Sequence, residues 1–186
     1  MSPMIQRPFW LEFALLGYLS HTPQHGYSLH QQLSARDGLG MVWRLKPSQL
    51  YAILEKLEAA GLVTSQVQPQ DPHPPRRMFS LTKAGRNEFE AWRVGAVERP
   101  HQMRQLFFAK LYFCLQESPQ LAQKLIKDQK QTARMWLAEL EERARNLNLS
   151  ASFEGILLQY RMHQVNMILN WLDSCLVEPG SELKAE

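Results

Sequence analysis

Apolar residues crowd nearly every side of a helical wheel over Phe9–Ser20 (FWLEFALLGYLS), which predicts a first helix buried all round. HTPQ breaks that run. HGYSLHQQLSARD then predicts a second helix over about Gln24–Asp37, with Tyr27, Leu29 and Leu33 turned inward. GLGMVW is glycine-rich and loose. A third helix is predicted from Pro47 to Ala60, where Leu50, Ile53, Leu54 and Leu57 make one apolar face at helical spacing. Proline suits its first turn, because the N–H it lacks would have no partner there, and Gly61 suits its C-terminal cap.

Beyond Gly61 the pattern changes to alternation. LVTSQV (Leu62–Val67) and RRMFSL (Arg76–Leu81) read as two half-buried strands of a hairpin. Between them PQDPHPP, Pro69 to Pro75, is rich in proline and predicts an irregular loop. Thr82 is placed to cap a fourth helix, KAGRNEFEAWRVGA, with Ala84, Phe89, Trp92 and Ala96 on its apolar side. Three helices, a hairpin and a closing helix are the pattern of a winged helix-turn-helix domain. ERP at Glu98–Pro100 ends it, and helices are predicted beyond: Gln102–Gln116, Pro119–Asn148 and Ser152–Leu176. The expected architecture is mainly α. A winged helix-turn-helix domain (1–98) precedes a three-helix, coiled-coil-like dimerisation domain (99–178) and a polar tail (179–186).

The last helix carries two apolar stripes. Leu158, Met162, Val165, Leu169, Leu172 and Leu176 form one, and Phe153, Leu157, Tyr160, Met167 and Trp171 form another. A helix apolar on two faces needs two partners, one of which can be a second copy of the chain. In the preceding helix Ile126, Ala133, Leu140 and Leu147 recur every seven residues, with Trp136 between and with Gln129 and Arg143 diluting the seam. The expected dimerisation set is Trp136 and Leu140 together with the six residues of the first stripe. A monomer with its own tight bundle is the alternative.

With 45% hydrophobic and 10% aromatic residues, the chain can build a core. No apolar run approaches ~20 residues, and MSPMIQRPFWLEF lacks the zones of a signal peptide, so a cytoplasmic protein without membrane contact is expected. Cys114 and Cys175 sit among apolar residues and read as reduced core thiols. The charge surplus lies entirely before residue 100. From Val42 to Arg86, Arg44, Lys46, Lys56, Arg76, Arg77, Lys83 and Arg86 face only Glu55, Glu58 and Asp71. A basic patch on a nearly neutral chain points to a polyanion, although a solvated surface would look the same. There is no GxSxG, HExxH or phosphate loop, and His21, His25 and His30 lack a matching carboxylate. Neither an enzyme, a metal site nor a cofactor is expected.

The third helix has an unusual polar start, KPSQLY. Ser48, Gln49, Ala52 and Lys56 fall opposite its apolar face. Short polar side chains beside open backbone N–H groups can hold phosphate or read base edges, and glutamine can pair with adenine through two hydrogen bonds. Lys46 and Lys56 can neutralise phosphates at either end. A capped surface helix would share these features. Arg76 and Arg77 lie at the root of the wing. Neighbouring strand residues point to opposite faces, so only one should meet DNA unless the strand begins after Arg76.

HGYSLHQQL, KPSQLYAILEKLEAAGLV and RRMFSLTKAGRNEFEAW together resemble the DNA-binding domain of PadR-type transcriptional regulators over about residues 9–93. Phe79 stands where the family usually has tyrosine. The Ser48–Gln49 pair and the long proline-bearing wing are more similar to its virulence-activator branch. The resemblance implies a dimeric, sequence-specific regulator of a near-palindromic duplex, most often a repressor, with a helical C-terminal dimerisation region. It implies that Tyr27, Ser48, Gln49, Tyr51 and Arg76 meet DNA. It also implies that a small aromatic effector could stack on tryptophan, here Trp136 and Trp171. The competing reading is a winged protein–protein module that does not bind DNA.

Overall fold

The computed structural model describes residues 10–70, 73–145, 147 and 152–175. The chain divides into two compact units, Met1–Arg93 and Val94–Glu186.

The first unit runs α1 (Trp10–His21), β1 (Gln24–His25), α2 (Gly26–Leu33), a 3-10 turn (Gly38–Met41), α3 (Pro47–Ala59), β2 (Val63–Gln70), β3 (His73–Leu81) and α4 (Lys83–Val94). The sheet is antiparallel in the order β1-β3-β2. Leu15 and Leu16 of α1, Leu29 and Leu33 of α2, Leu50 and Leu54 of α3, Phe79 and Phe89 are fully buried and form its core. Gly61 follows α3 at φ +71°, a left-handed conformation that glycine reaches at no steric cost and that turns the chain into β2. Thr82 Oγ1 accepts from the Gly85 N–H at 3.0 Å and donates to Gly61 O at 2.8 Å, so it caps α4 and ties it to the end of α3.

Several expectations need correction. The second helix is shorter than Gln24–Asp37, because Gln24 and His25 pair instead with Phe79 and Met78 of β3. Tyr27 faces outward, since the turn of α2 that follows this pairing sends Leu29 and Leu33 to the core. Ala84 is exposed, and Ala96 lies past the end of α4. The proline-rich segment is not wholly irregular. The ladder reaches Gln70↔His73 with one irregularity after Gln68, and residues 71–72 lie outside the described residues. Prolines are tolerated there because β2 is an edge strand and β1 meets β3 only near Met78 and Phe79, so this end of the hairpin carries no further ladder.

The second unit opens with a strap, Gly95–Arg99, and a 3-10 turn, Pro100–Arg104. Then come α5 (Leu106–Glu117), α6 (Pro119–Ala144) and α7 (Phe153–Cys175). Ser118 Oγ accepts from the Leu121 N–H at 3.2 Å and caps α6. Phe107 and Phe108 of α5 pack against Trp171 of α7, with ring centroids 5.9 and 5.3 Å away. Lys130 of α6 pairs with Asp173 of α7. The strap belongs to this unit because Gln129 and Lys110 hold it. Lys110 donates to Gly95 O at 2.8 Å, and its burial lowers the ammonium pKa to about 8.

The expected dimerisation set is largely internal. Leu158, Val165 and Leu172 are buried within the subunit, as is Trp136, while Met162, Leu169 and Leu140 are half-buried. These residues fill the stack of α6 and α7, so intrachain packing has already claimed the first stripe. Leu176 and the tail 179–186 lie outside the described residues. Gln129 does not dilute an intersubunit seam: it is completely buried against the strap. The face left open on α7 carries Phe153, Ile156, Tyr160 and Met167, which are 74, 59, 64 and 60% exposed.

Candidate nucleic-acid interface

The outward side of α3 presents Ser48, Gln49, Ala52 and Lys56 to solvent, while Leu50, Leu54 and Leu57 hold the helix to the core. Lys46 is the N-cap residue, and Pro47 occupies the first turn. A lysine side chain cannot accept a hydrogen bond, so the cap is made differently. Gln49 Oε1 accepts from the Lys46 N–H at 3.1 Å, and the Gln49 N–H donates to Lys46 O at 3.0 Å. This reciprocal arrangement fixes the glutamine's direction. Its Nε2 keeps two donors, and its oxygen keeps a second lone pair. Sequence reasoning missed the capping role, although a glutamine three residues into a helix is its signature.

Tyr27 and Tyr51 flank the N-terminus of α2. Tyr27 Oη accepts from Gln31 Nε2 at 3.0 Å. The ring of Tyr51 lies over Gly26, where a side chain's Cβ would stand 2.6 Å from Tyr51 Cε1. Glycine there lets the ring close onto α2. His25 Nδ1–H donates to Arg77 O at 3.3 Å and braces α2 against the wing. Tyr27, Tyr51, Arg76 and Arg77 thereby meet around one open recess of about 380 Å³ beside α3.

The two arginines part ways as their alternation requires. The strand starts at His73, before both of them. Arg76 is exposed. Arg77 turns towards α3, pairs with Glu58, donates to Ser65 Oγ at 2.8 Å and lies over the Phe79 ring at 5.0 Å. Ser65 O–H in turn donates to Glu58 Oε1 at 2.7 Å. The Ser65 hydroxyl and then the Arg77 guanidinium hold the Glu58 carboxyl below its ordinary pKa. This cluster locks the wing to α3, so Arg77 sets the hairpin's angle and Arg76 remains the outward cation. Among the described residues no group of His, Cys, Asp and Glu is placed to hold a metal. No described helix is long and apolar enough to cross a membrane.

The expected effector pair is not brought together. Trp136 lines a cavity of about 800 Å³ in the second unit, and Trp171 is not among its lining residues because it packs on Phe107 and Phe108.

An outward polar helix beside a basic hairpin on this topology defines a winged helix-turn-helix protein. Residues 15–91 match the Transcriptional regulator PadR-like family, and residues 103–178 match the Virulence activator alpha C-term family. The chain is thus similar to the PadR-like family of transcriptional regulators over its first unit. It is 29% identical over 175 residues to the Negative transcriptional regulator PadR of Bacillus subtilis, covering 89% of this chain and 95% of that one. Two crystal structures of Bacillus subtilis PadR are also similar. One holds operator DNA (27% identity, 89% of this chain and 97% of that one, TM-score 0.46). The other holds p-coumaric acid (26% identity, 90% and 97%, TM-score 0.42).

Proposed function

We propose that this protein is a homodimeric, cytoplasmic PadR-type repressor that places α3 in the major groove of a near-palindromic operator. The observation that carries the reading is the joint exposure of Ser48 and Gln49 at the start of α3 and of Arg76 on the wing, where Arg76 lines one recess with Tyr27 and Tyr51. Backbone N–H groups at the start of α3, with Lys46 and Lys56, answer phosphates. Gln49 answers a base edge, and Arg76 reaches from the wing. The open stripe on α7 joins two copies, which present two recognition helices to two half-sites. The named function of the Bacillus subtilis relative, negative regulation, supports repression.

The test is a salt titration on a duplex selected from a random pool. Operator affinity should fall with a log–log slope of about 0.9 per phosphate neutralised, and an affinity indifferent to salt would leave a protein-binding module as the better reading.

Gln49 separates reading from capping. Gln49→Ala should cost about 0.5–2 kcal/mol of stability through the lost cap. It should also relax one position of each half-site by ~1–3 kcal/mol. Gln49→Glu keeps an acceptor for the Lys46 N–H, so thermal melts should recover while base preference does not. Equal weakening of the alanine variant on every singly substituted duplex would remove Gln49 from the readers.

A further inference from the structure

Trp43–Lys46 belong to no helix or strand, yet they set the point at which α3 begins. His30, on α2, reaches across to this segment, and its Nε2–H donates to Leu45 O at 2.9 Å. A ring nitrogen facing a carbonyl oxygen must carry its hydrogen, because the carbonyl can only accept. Ser34 Oγ, one turn further along α2, stands 3.4 Å from the same nitrogen and makes the longer contact. Among the described residues Leu45 O has no other partner. The N–H of the same peptide unit, on Lys46, donates to Gln49 Oε1 at 3.1 Å. The Leu45–Lys46 peptide is therefore held on both edges, its oxygen from α2 and its N–H from the first turn of α3. A peptide unit is planar and stiff, so fixing its oxygen fixes the direction of its N–H. That N–H places Gln49 Oε1, and with it the side on which Gln49 Nε2 points. Leu45 is buried and His30 half-buried, so water competes little for the tie to α2.

We propose that His30 is a positioning residue for base reading: by holding the Leu45–Lys46 peptide it sets the angle at which Gln49 presents its amide to a base edge. This role rests on the reading of α3 as a groove-binding helix. His30 acts on discrimination without touching the duplex. Two hydrogen bonds to one base edge demand an amide held in plane, and a loosened amide still enters the groove without favouring adenine. His30→Gln keeps a donor nitrogen the same number of bonds from Cα. His30→Leu keeps bulk and removes the donor.

Two measurements on the full-length protein test this role. Without DNA, amide hydrogen exchange by NMR reads the Lys46 N–H directly. His30→Leu should speed its exchange about fivefold, and His30→Gln should return it towards the parent rate. On the selected duplex and its singly substituted versions, His30→Leu should lose about fivefold of base preference at the position that Gln49→Ala relaxes, and little elsewhere. Combined with Gln49→Ala, it should relax that position no further. A merely structural histidine would weaken every duplex by one factor and add to Gln49→Ala in full. Either that pattern or an unchanged Lys46 exchange rate overturns the role. Should His30→Leu not fold by circular dichroism, His30→Asn, polar but a bond too short to reach Leu45 O, makes the same comparison. A parent protein that selects no duplex overturns the DNA reading, while the exchange rates still judge the hold on Gln49.

Discussion

Replacing Ile156 and Tyr160 together by glutamate should give a folded monomer that binds the operator about 10²–10⁴-fold more weakly. Both side chains project from the open face of α7, so the carboxylates would enter water in the monomer and be trapped without partners in a dimer. The intrachain stripe is untouched, because Leu158, Val165 and Leu172 lie on the other side. Light scattering gives the mass, circular dichroism the helix content, and a titration on the selected duplex the affinity. The large factor arises from geometry: joining two recognition helices makes the second half-site contact intramolecular. Val165→Glu would be a poor test, since it buries a charge inside the subunit and would unfold α6 and α7 without reporting on association. A double-glutamate variant that remains dimeric would place the joining surface elsewhere.

Sequence reading succeeded where one face of an element is plainly apolar. In α3 the stripe Leu50, Leu54 and Leu57 made Ser48, Gln49 and Lys56 outward by exclusion, and the structure places them there. It succeeded in part for Arg76 and Arg77, since alternation requires that only one face outward. Alternation alone did not say which one, and only the resemblance pointed to Arg76, because the choice depends on Glu58 and Ser65 meeting Arg77 across separate elements. β1 could not be foreseen, as two residues show no period and its pairing with Met78 and Phe79 is wholly tertiary. On α7 both stripes were visible. Apolar content alone does not say which one the same chain covers, and the packing of α6 on α7 settles that, with Leu158 and Val165 buried.

The strap hangs on a fully buried glutamine. Gln129→Leu should destabilise the second unit by about 2–4 kcal/mol, because it leaves the N–H and C=O of buried Val97 without their partner while adding some apolar contact. A urea melt of the full-length protein should show the loss as a lowered midpoint in the transition that reports on α6. Gln129→Glu should behave in the opposite sense to an ordinary carboxylate. When protonated it can accept from the Val97 N–H and donate to Val97 O, restoring both bonds. When ionised it places a buried charge against that carbonyl. Its folded pKa is therefore raised above the unfolded value of about 4.3, and the native state holds the proton more tightly. Stability then falls as pH rises through the interval between the two values, and is regained in full only below the unfolded one. Melts of Gln129→Glu that are indifferent to pH between about 4 and 7, or a leucine variant as stable as the parent, would show that other contacts hold the strap.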